Sequence, residues 1–152
     1  MLRDVLESDL DAFYEHQRDP EANRMALFPA RDREAFYEHW RKTLANDSAI
    51  KKTVLHEEQV AGNVLCWQQE GRRFVGYWIG REFWGKGLAT GALAELVEEV
   101  TARPLHAWVA ASNLGSIRVL EKCGFVEVES RSEFDEKLGE PVDELLFELA
   151  AR

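Results

Sequence analysis

Cysteine, histidine and basic residues are scarce in this chain of 152 residues, which has 2 Cys, 4 His and 19 Lys+Arg against 28 Asp+Glu. Cys66 and Cys123 stand far apart, and no two histidines form a His-x-x-x-His pair, so we expect no metal. The formal net charge of −9 leaves no basic stripe for phosphate contacts. We therefore expect no nucleic-acid partner, whereas a cationic amine is compatible with this charge.

Long hydrophobic runs are also missing. Apolar stretches such as residues 74–79 are far shorter than the ~20 residues that a membrane-spanning helix needs, so we expect no membrane partner. Residues 1–7 include acidic side chains where a signal peptide has a basic segment followed by an apolar run. These features predict a cytoplasmic protein. The length and an ordinary composition, with 45% hydrophobic and 31% charged residues, predict a single domain over residues 1–152.

The hydrophobic periodicity predicts a mixed α/β (α+β) fold in the order β-α-α-β-β-β-α-β-α-β-β. Polar turns predicted at Glu58–Gln59 and Glu70–Gly71 separate the three central strands and favour antiparallel neighbours, and one crossover helix follows them. The sheet is therefore expected to be mostly antiparallel and flanked by about four helices. The predicted strands are residues 2–6, 53–57, 60–67, 73–79, 105–110, 125–130 and 142–149.

Capping residues set the expected helix boundaries. The first helix should end before Asp19, because a residue that precedes proline disfavours the helical conformation, and the chain from Pro20 to Asp32 is expected to be irregular. Asp32 is a favoured N-cap for the second helix. Asn113 is another favoured N-cap, and its side-chain oxygen is expected to accept a hydrogen bond from the Ser116 amide.

A loop with two glycines opens directly onto a long amphipathic helix in residues 81–90. Glycine lets the backbone approach a ligand, and the first helical turn offers unpaired NH groups at the positive end of the helix dipole. These features predict a phosphate or diphosphate pocket, to which Arg81 and Lys86 add positive charge. A tight turn explains Gly85-x-Gly87 alone equally well. The segment is neither a Walker A loop nor a dinucleotide fingerprint, since the next glycine is at 91 instead of 90.

Two motifs carry a resemblance to a known family. Residues 76–79 read Gly-Tyr-Trp-Ile and residues 84–90 read Trp-Gly-Lys-Gly-Leu-Ala-Thr. Together they resemble the acetyl-coenzyme A-binding motif of the GNAT superfamily, in the form that is similar to the ribosomal-protein alanine N-acetyltransferase branch. Residues 113–125 resemble that branch's second signature, Asn-x-x-Ser…Glu-Lys-x-Gly-Phe. The two motifs have the right order and separation, and the resemblance spans nearly the whole chain.

The resemblance implies an acyl-coenzyme A-dependent N-acetyltransferase whose co-substrate is acetyl-coenzyme A. The strand at 73–79 would splay from the strand at 105–110 and open a slot for the pantetheine arm. The NH near Ile79 would bond the thioester carbonyl, as an oxyanion donor does. The implied cofactor-binding residues are Trp78, Ile79, Arg81, Trp84, Gly85, Lys86, Gly87, Leu88, Ala89, Thr90, Asn113 and Ser116.

The expected reaction is direct attack by an amine on the thioester, which requires removal of a proton from the amine and a hydrogen-bond donor for the leaving sulfur. The glutamate that relatives often have before Gly-Tyr-Trp is missing, and Leu120 stands where many superfamily members have a tyrosine acid. We propose Ser116 as the catalytic donor, although a helix-capping role fits it equally well. His56, Glu57, Glu70 or a water chain are available as the base, and the sequence does not choose among them.

The acceptor site should come, by resemblance, from the N-terminal helices and residues 23–33. Phe28, Trp40 and Trp67 are its candidate lining residues, although aromatic residues at helical spacing are also typical of a core. A peptide N-terminus, a polyamine, an antibiotic amine or a small metabolite all fit as acceptor. A coenzyme A-binding sensor or scaffold without catalysis is the alternative function. Homodimers are common among similar proteins, but the sequence leaves the oligomeric state open.

Overall fold

A mixed seven-stranded sheet lies at the centre of the protein, in a computed structural model that describes residues 1–150. The strand order is β1-β2-β3-β4-β5-β7-β6, and every neighbouring pair is antiparallel except the parallel pair β4–β5. This confirms the expected mixed, mostly antiparallel sheet. The strands are β1 (Leu2–Asp4), β2 (Ile50–His56), β3 (Gln59–Gln69), β4 (Arg72–Ile79), β5 (Leu105–Ala110), β6 (Val126–Asp135) and β7 (Glu140–Leu149).

Within the described residues, five α-helices flank the sheet, where about four were expected: α1 (Leu10–Gln17), α2 (Pro20–Ala26), α3 (Arg33–Ala45), α4 (Leu88–Glu99) and α5 (Leu114–Lys122). The expectation of an irregular chain between Pro20 and Asp32 was wrong for α2. Proline ends the preceding helix, but it also starts α2 at its first position. The Asp19 carboxylate accepts a hydrogen bond from the Glu21 amide at 3.1 Å and caps the new helix. No helix within residues 1–150 is long and apolar enough to cross a bilayer.

Side chains that alternate along the strands give the sheet two apolar faces. On β3, Val64 and Cys66 face the larger core, which α4 covers with Leu93 and Leu96 and to which α5 adds Leu120. The opposite face packs against α1 and α3. Its core consists of Leu10, Phe13, Phe36 and Trp40. Helices therefore cover both faces of the central strands, including the ends of β4 and β5.

Hairpin turns and strand lengths differ in detail from the expected pattern. The turn at Glu70–Gly71 is as expected, whereas the β2–β3 turn falls on Glu57–Glu58, one residue early. Strand β6 extends to Asp135 instead of residue 130. Its side chains are exposed on both faces, so no apolar alternation marks its second half, and backbone pairing with β7 alone continues the strand.

A buried carboxylate joins the N-terminal helices to the sheet. Asp9 accepts two hydrogen bonds from the Arg3 guanidinium at 2.7 and 2.8 Å, one from the Leu6 amide at 2.9 Å and one from the Thr53 hydroxyl of β2 at 2.7 Å. Burial raises the pKa of the Asp9 carboxyl, but these hydrogen bonds and the charge of Arg3 outweigh burial and leave the pKa below its ordinary value. The ionised form therefore stabilises the fold.

Replacing this carboxylate should destabilise the protein. We expect Asp9→Asn to lower the free energy of unfolding at pH 7 by roughly 2–4 kcal/mol, measured by urea denaturation, because a buried charged partner of Arg3 is lost. A carboxyl whose pKa is lower in the folded state stabilises the fold at pH values above its unfolded-state pKa. The difference in unfolding free energy between the variant and wild type should therefore shrink as the pH falls below about 4. Asp4→Asn, which removes an exposed carboxylate paired with Lys52, is the control and should have the smaller effect. Equal losses for the two variants would contradict this account.

Candidate active site

Strands β4 and β5 separate soon after they meet. Their parallel pairing covers only Arg73 with Leu105 and Phe74 with His106. Beyond that point β4 continues along β3 as far as Ile79, and β5 continues along β7 as far as Ala110. The two strands are thus held by their outer neighbours and diverge, which opens a gap inside the sheet.

The backbone of β4 presents unpaired donors to this gap. The Gly80 amide bonds the Ala61 carbonyl at 2.8 Å, and antiparallel ladders alternate bonded and non-bonded pairs. The amides of Tyr77 and Ile79 therefore face away from β3, toward the gap. The Ile79 carbonyl faces the same way, since it accepts a hydrogen bond from the Trp84 indole at 2.9 Å. The Ile79 NH thus faces the gap, and its role as an oxyanion donor stays a prediction.

Helix α4 begins beside the gap without a side-chain cap. Gly87 is its N-cap residue, with φ +74°, and Gly85 has φ +78°, so both glycines occupy the left-handed region. The first helical bond runs from the Gly91 amide to the Gly87 carbonyl at 3.0 Å, which leaves the amides of residues 88–90 without helical partners. The first turn has no acidic side chain. A diphosphate fits this entrance because it would accept bonds from free amides at a positive dipole end.

These features line one cleft of about 350 Å³. It contains all the expected cofactor-binding residues except Arg81 and Lys86. No carboxylate, imidazole, ammonium or guanidinium group is among the lining side chains within residues 1–150. The lining residues are Ala22, Met25, Ala26, Tyr77, Trp78, Ile79, Phe83, Trp84, Gly85, Gly87, Leu88, Ala89, Thr90, Asn113, Gly115, Ser116 and Val119.

Arg81 and Lys86 lie outside the lining of the cleft. Both are exposed, and Arg81 forms an ion pair with Asp19 at 3.4 Å. An exposed cation next to a carboxylate adds less positive potential than a free one. The backbone of α4 is therefore the stronger feature for anion binding, and the role of the two cations stays a prediction.

Helix α5 brings two hydroxyl groups together at the cleft. Asn113 caps the helix as expected, accepting from the Ser116 amide at 3.2 Å. The Ser116 Oγ lies 2.6 Å from the hydroxyl of Tyr77, a residue that the sequence interpretation did not assign to the site. Burial raises the Tyr77 pKa to about 12, although the hydrogen bond with Ser116 opposes this rise. The two residues are 39 positions apart, so only the fold reveals the pair.

The three aromatic candidates for the acceptor site have different surroundings. Trp40 is buried against Phe13 with a ring separation of 5.0 Å, and Trp67 stacks on Phe74 at 6.1 Å. Neither lines the cleft, and their positions favour a packing role. Phe28 packs edge-on against Trp78 at 6.0 Å, next to the cleft wall. Helix α2, which the sequence interpretation missed, supplies the apolar wall residues Ala22, Met25 and Ala26.

None of the candidate bases lines the cleft. His56 packs edge-on against the cleft residue Phe83 at 6.2 Å but is not itself a lining residue. Glu57 is exposed in the β2–β3 turn, and Glu70 lies in the β3–β4 turn at the opposite end of β4 from Ile79. A water chain needs no protein side chain in the lining and stays a candidate, and the base stays unassigned.

A splayed strand pair beside an uncapped, glycine-led helix entrance is compatible with a diphosphate carrier that has an extended arm. Comparisons with known proteins agree. The family model described as an acetyltransferase (GNAT) domain matches residues 1–126. The chain is 25% identical to the uncharacterized N-acetyltransferase p20 of Bacillus licheniformis over 166 aligned positions, which cover 99% of this chain and 92% of p20.

Two solved structures show the same fold. A ribosomal-protein-alanine N-acetyltransferase from Brucella melitensis superposes with a TM-score of 0.79 at 22% identity, covering 99% of each chain. A spermidine N-acetyltransferase from Vibrio cholerae, in complex with CoA and spermine, superposes with a TM-score of 0.84 at 16% identity, covering 99% of this chain and 94% of that one. The chain belongs to the GNAT acetyltransferase family. The expected enzyme class and the use of acetyl-coenzyme A are thereby confirmed.

Placing bulk and negative charge at the α4 entrance should prevent cofactor binding. We expect Gly87→Glu to weaken coenzyme A affinity by about 100-fold or more, which corresponds to about 2.7 kcal/mol, measured by calorimetric titration. Gly71→Glu is the matched control, because Gly71 has φ +77° and open space around it but lies in the β3–β4 turn. The Gly71→Glu variant carries the same backbone strain and should keep the wild-type affinity for coenzyme A. Wild-type affinity in a folded Gly87→Glu variant would refute the assigned pocket.

Proposed function

We propose that this protein transfers an acetyl group from acetyl-coenzyme A to a primary amine by direct attack within the cleft described above. The amine nitrogen bonds the acetyl carbon, the carbon–sulfur bond breaks, and one proton of the amine ends on the free thiol. The observation that carries the proposal is that the free amides of α4, the Ile79 NH and the Ser116 hydroxyl all face one continuous cleft.

The proposed roles follow from what each group donates. The amides of residues 88–90 and the α4 dipole hold the diphosphate. The Ile79 NH donates to the thioester oxygen, whose negative charge grows as the amine attacks. The Ser116 hydroxyl donates to the sulfur that leaves. Neither cysteine lines the cleft, which supports direct transfer over an acyl-cysteine route.

The uncharged lining of the cleft favours some classes of acceptor amine over others. No carboxylate within the described lining is positioned to bind a second cationic group of the acceptor or to take its proton. Helix α2 adds Ala22, Met25 and Ala26. These features support an amine that arrives neutral and carries an apolar neighbouring group, over a polycation. A peptide N-terminus, an antibiotic amine and a small metabolite all satisfy this description, and a polyamine satisfies it least. Cytoplasmic location stays a prediction of the sequence, and the oligomeric state stays open.

The reaction should be visible as acceptor-dependent release of thiol. We expect purified protein with acetyl-coenzyme A and a panel of amines, from apolar monoamines and peptides to spermidine, to release coenzyme A thiol only when a suitable amine is added. A reaction without acceptor corrects for hydrolysis and for the protein's own Cys123. Tight coenzyme A binding without thiol release for any amine would instead favour a catalytically inactive sensor or scaffold.

The pH dependence of kcat/KM should follow the pKa of the acceptor amine and not the pKa of a protein group. Because water takes the proton, log kcat/KM should rise with slope of about 1 up to the pKa of the amine, near 8 for an α-amine and near 10.4 for an alkyl amine. Steady-state rates of two such acceptors across this range test the expectation. An inflection that stays at one pH for both acceptors would show that a protein group is the base.

Removing the proposed donor should slow the chemical step. We expect Ser116→Ala to lower kcat by about 10- to 100-fold, while the coenzyme A dissociation constant stays within about twofold, because the hydroxyl matters only as charge develops on sulfur. Asn113 still caps α5 in this variant, since it bonds the backbone amide of residue 116. An unchanged kcat would leave Ser116 with a structural role alone.

A further inference from the structure

The closest side-chain contact across the cleft joins Tyr77 of β4 to Ser116 of α5. The Tyr77 hydroxyl oxygen lies 2.6 Å from the Ser116 Oγ and 3.2 Å from the Ser116 carbonyl oxygen. Both residues line the cleft. Strand β4 has diverged from β5 at this level, and the Tyr77 hydroxyl reaches the first turn of α5.

Two hydroxyl protons can be arranged in two ways at this pair. In one, Tyr77 donates to the Ser116 carbonyl oxygen and Ser116 donates to Tyr77, so no proton faces the cleft. In the other, Tyr77 donates to the Ser116 Oγ, and the Ser116 proton is free to point into the cleft. Without Tyr77, a serine in the first helical turn tends to donate to a backbone carbonyl three or four residues earlier. Negative charge that develops on a sulfur in the cleft favours the second arrangement, in which the Tyr77 hydroxyl donates to the Ser116 Oγ and the Ser116 proton faces the cleft.

Tyr77 is poorly suited to give up its own proton. Its pKa of about 12 exceeds the ordinary thiol value of about 8.5, so a thiolate would take this proton with an equilibrium unfavourable by about three orders of magnitude. Tyr77 therefore keeps its proton while it orients Ser116, and the Ser116 hydroxyl, which is less acidic than a phenol, likewise acts as a hydrogen-bond donor and not as an acid. Leu120, at the place where many superfamily members have a tyrosine acid, is buried and offers no alternative hydroxyl.

We propose that Tyr77 is a positioning residue, whose hydroxyl fixes that of Ser116 so that Ser116 donates a hydrogen bond to the sulfur as it leaves with the electron pair of the broken carbon–sulfur bond. This inference rests on the proposed acetyl transfer in the cleft. It adds a role for β4 beyond its backbone amides, and it explains how one serine acts as donor without a charged group in the lining.

A double-mutant cycle tests the inference. Tyr77→Phe keeps the ring and removes the hydroxyl. We expect it to lower kcat about 5- to 10-fold, with the KM and dissociation constant of acetyl-coenzyme A within about twofold of wild type. Because Tyr77 acts through Ser116, the double variant Tyr77→Phe with Ser116→Ala should be no slower than Ser116→Ala alone. Tyr37→Phe, which removes a hydroxyl bonded to Asp11 on α1, is the matched control and should keep kcat within about twofold.

The outcomes distinguish a failure of the positioning role of Tyr77 from a failure of the proposed acetyl transfer. Losses that multiply in the double variant, or a Tyr77→Phe variant with the kcat of wild type, overturn the positioning role while leaving the acetyl transfer intact. A larger dissociation constant for coenzyme A with an unchanged kcat also overturns the positioning role, because a residue that only supports the structure of the cleft would give this result. A wild-type protein without acceptor-dependent thiol release overturns the proposed function itself, and this inference with it.

Discussion

The short parallel pairing between β4 and β5 is the constraint on which the site depends. Two strands that pair fully leave no free backbone groups between them, whereas β4 and β5 share only the register of Arg73–Phe74 with Leu105–His106. Their outer neighbours β3 and β7 satisfy the other edges and prevent collapse of the gap. The free amides of β4, the entrance of α4 and the first turn of α5 then meet at one cleft.

In the proposed reaction, the chemistry of the cleft relies on neutral donors. Backbone amides, two hydroxyl groups and a helix dipole act where negative charge is bound or develops, and the lining described here carries no formal charge. Such donors need no proton exchange with the protein, which leaves the ionisation of the amine to the acceptor and to water. In a chain with a net charge of −9, this arrangement lets an anionic carrier bind without a basic surface.

Much of the fold was accessible from periodicity and capping. The strand alternation, the Asp32 and Asn113 caps and the glycine-led start of α4 are local, so residues a few positions apart determine them. Helix α2 was missed although Asp19-Pro20 is a cap followed by a favoured first residue, because proline was interpreted only as an end signal. The second half of β6 was missed because its side chains are exposed on both faces, and only pairing with β7 makes it a strand.

The sequence by itself determined the family, the order of the seven strands and the glycine-led start of α4, because contiguous motifs with local backbone preferences specify them. Only the tertiary structure decided which side chains share the cleft. It placed Trp40 in the core, brought α2 to the wall and joined Tyr77 to Ser116 across 39 residues. Contacts of this kind depend on how far β4 and β5 diverge and on how the helices pack against them, and no short stretch of sequence contains that information.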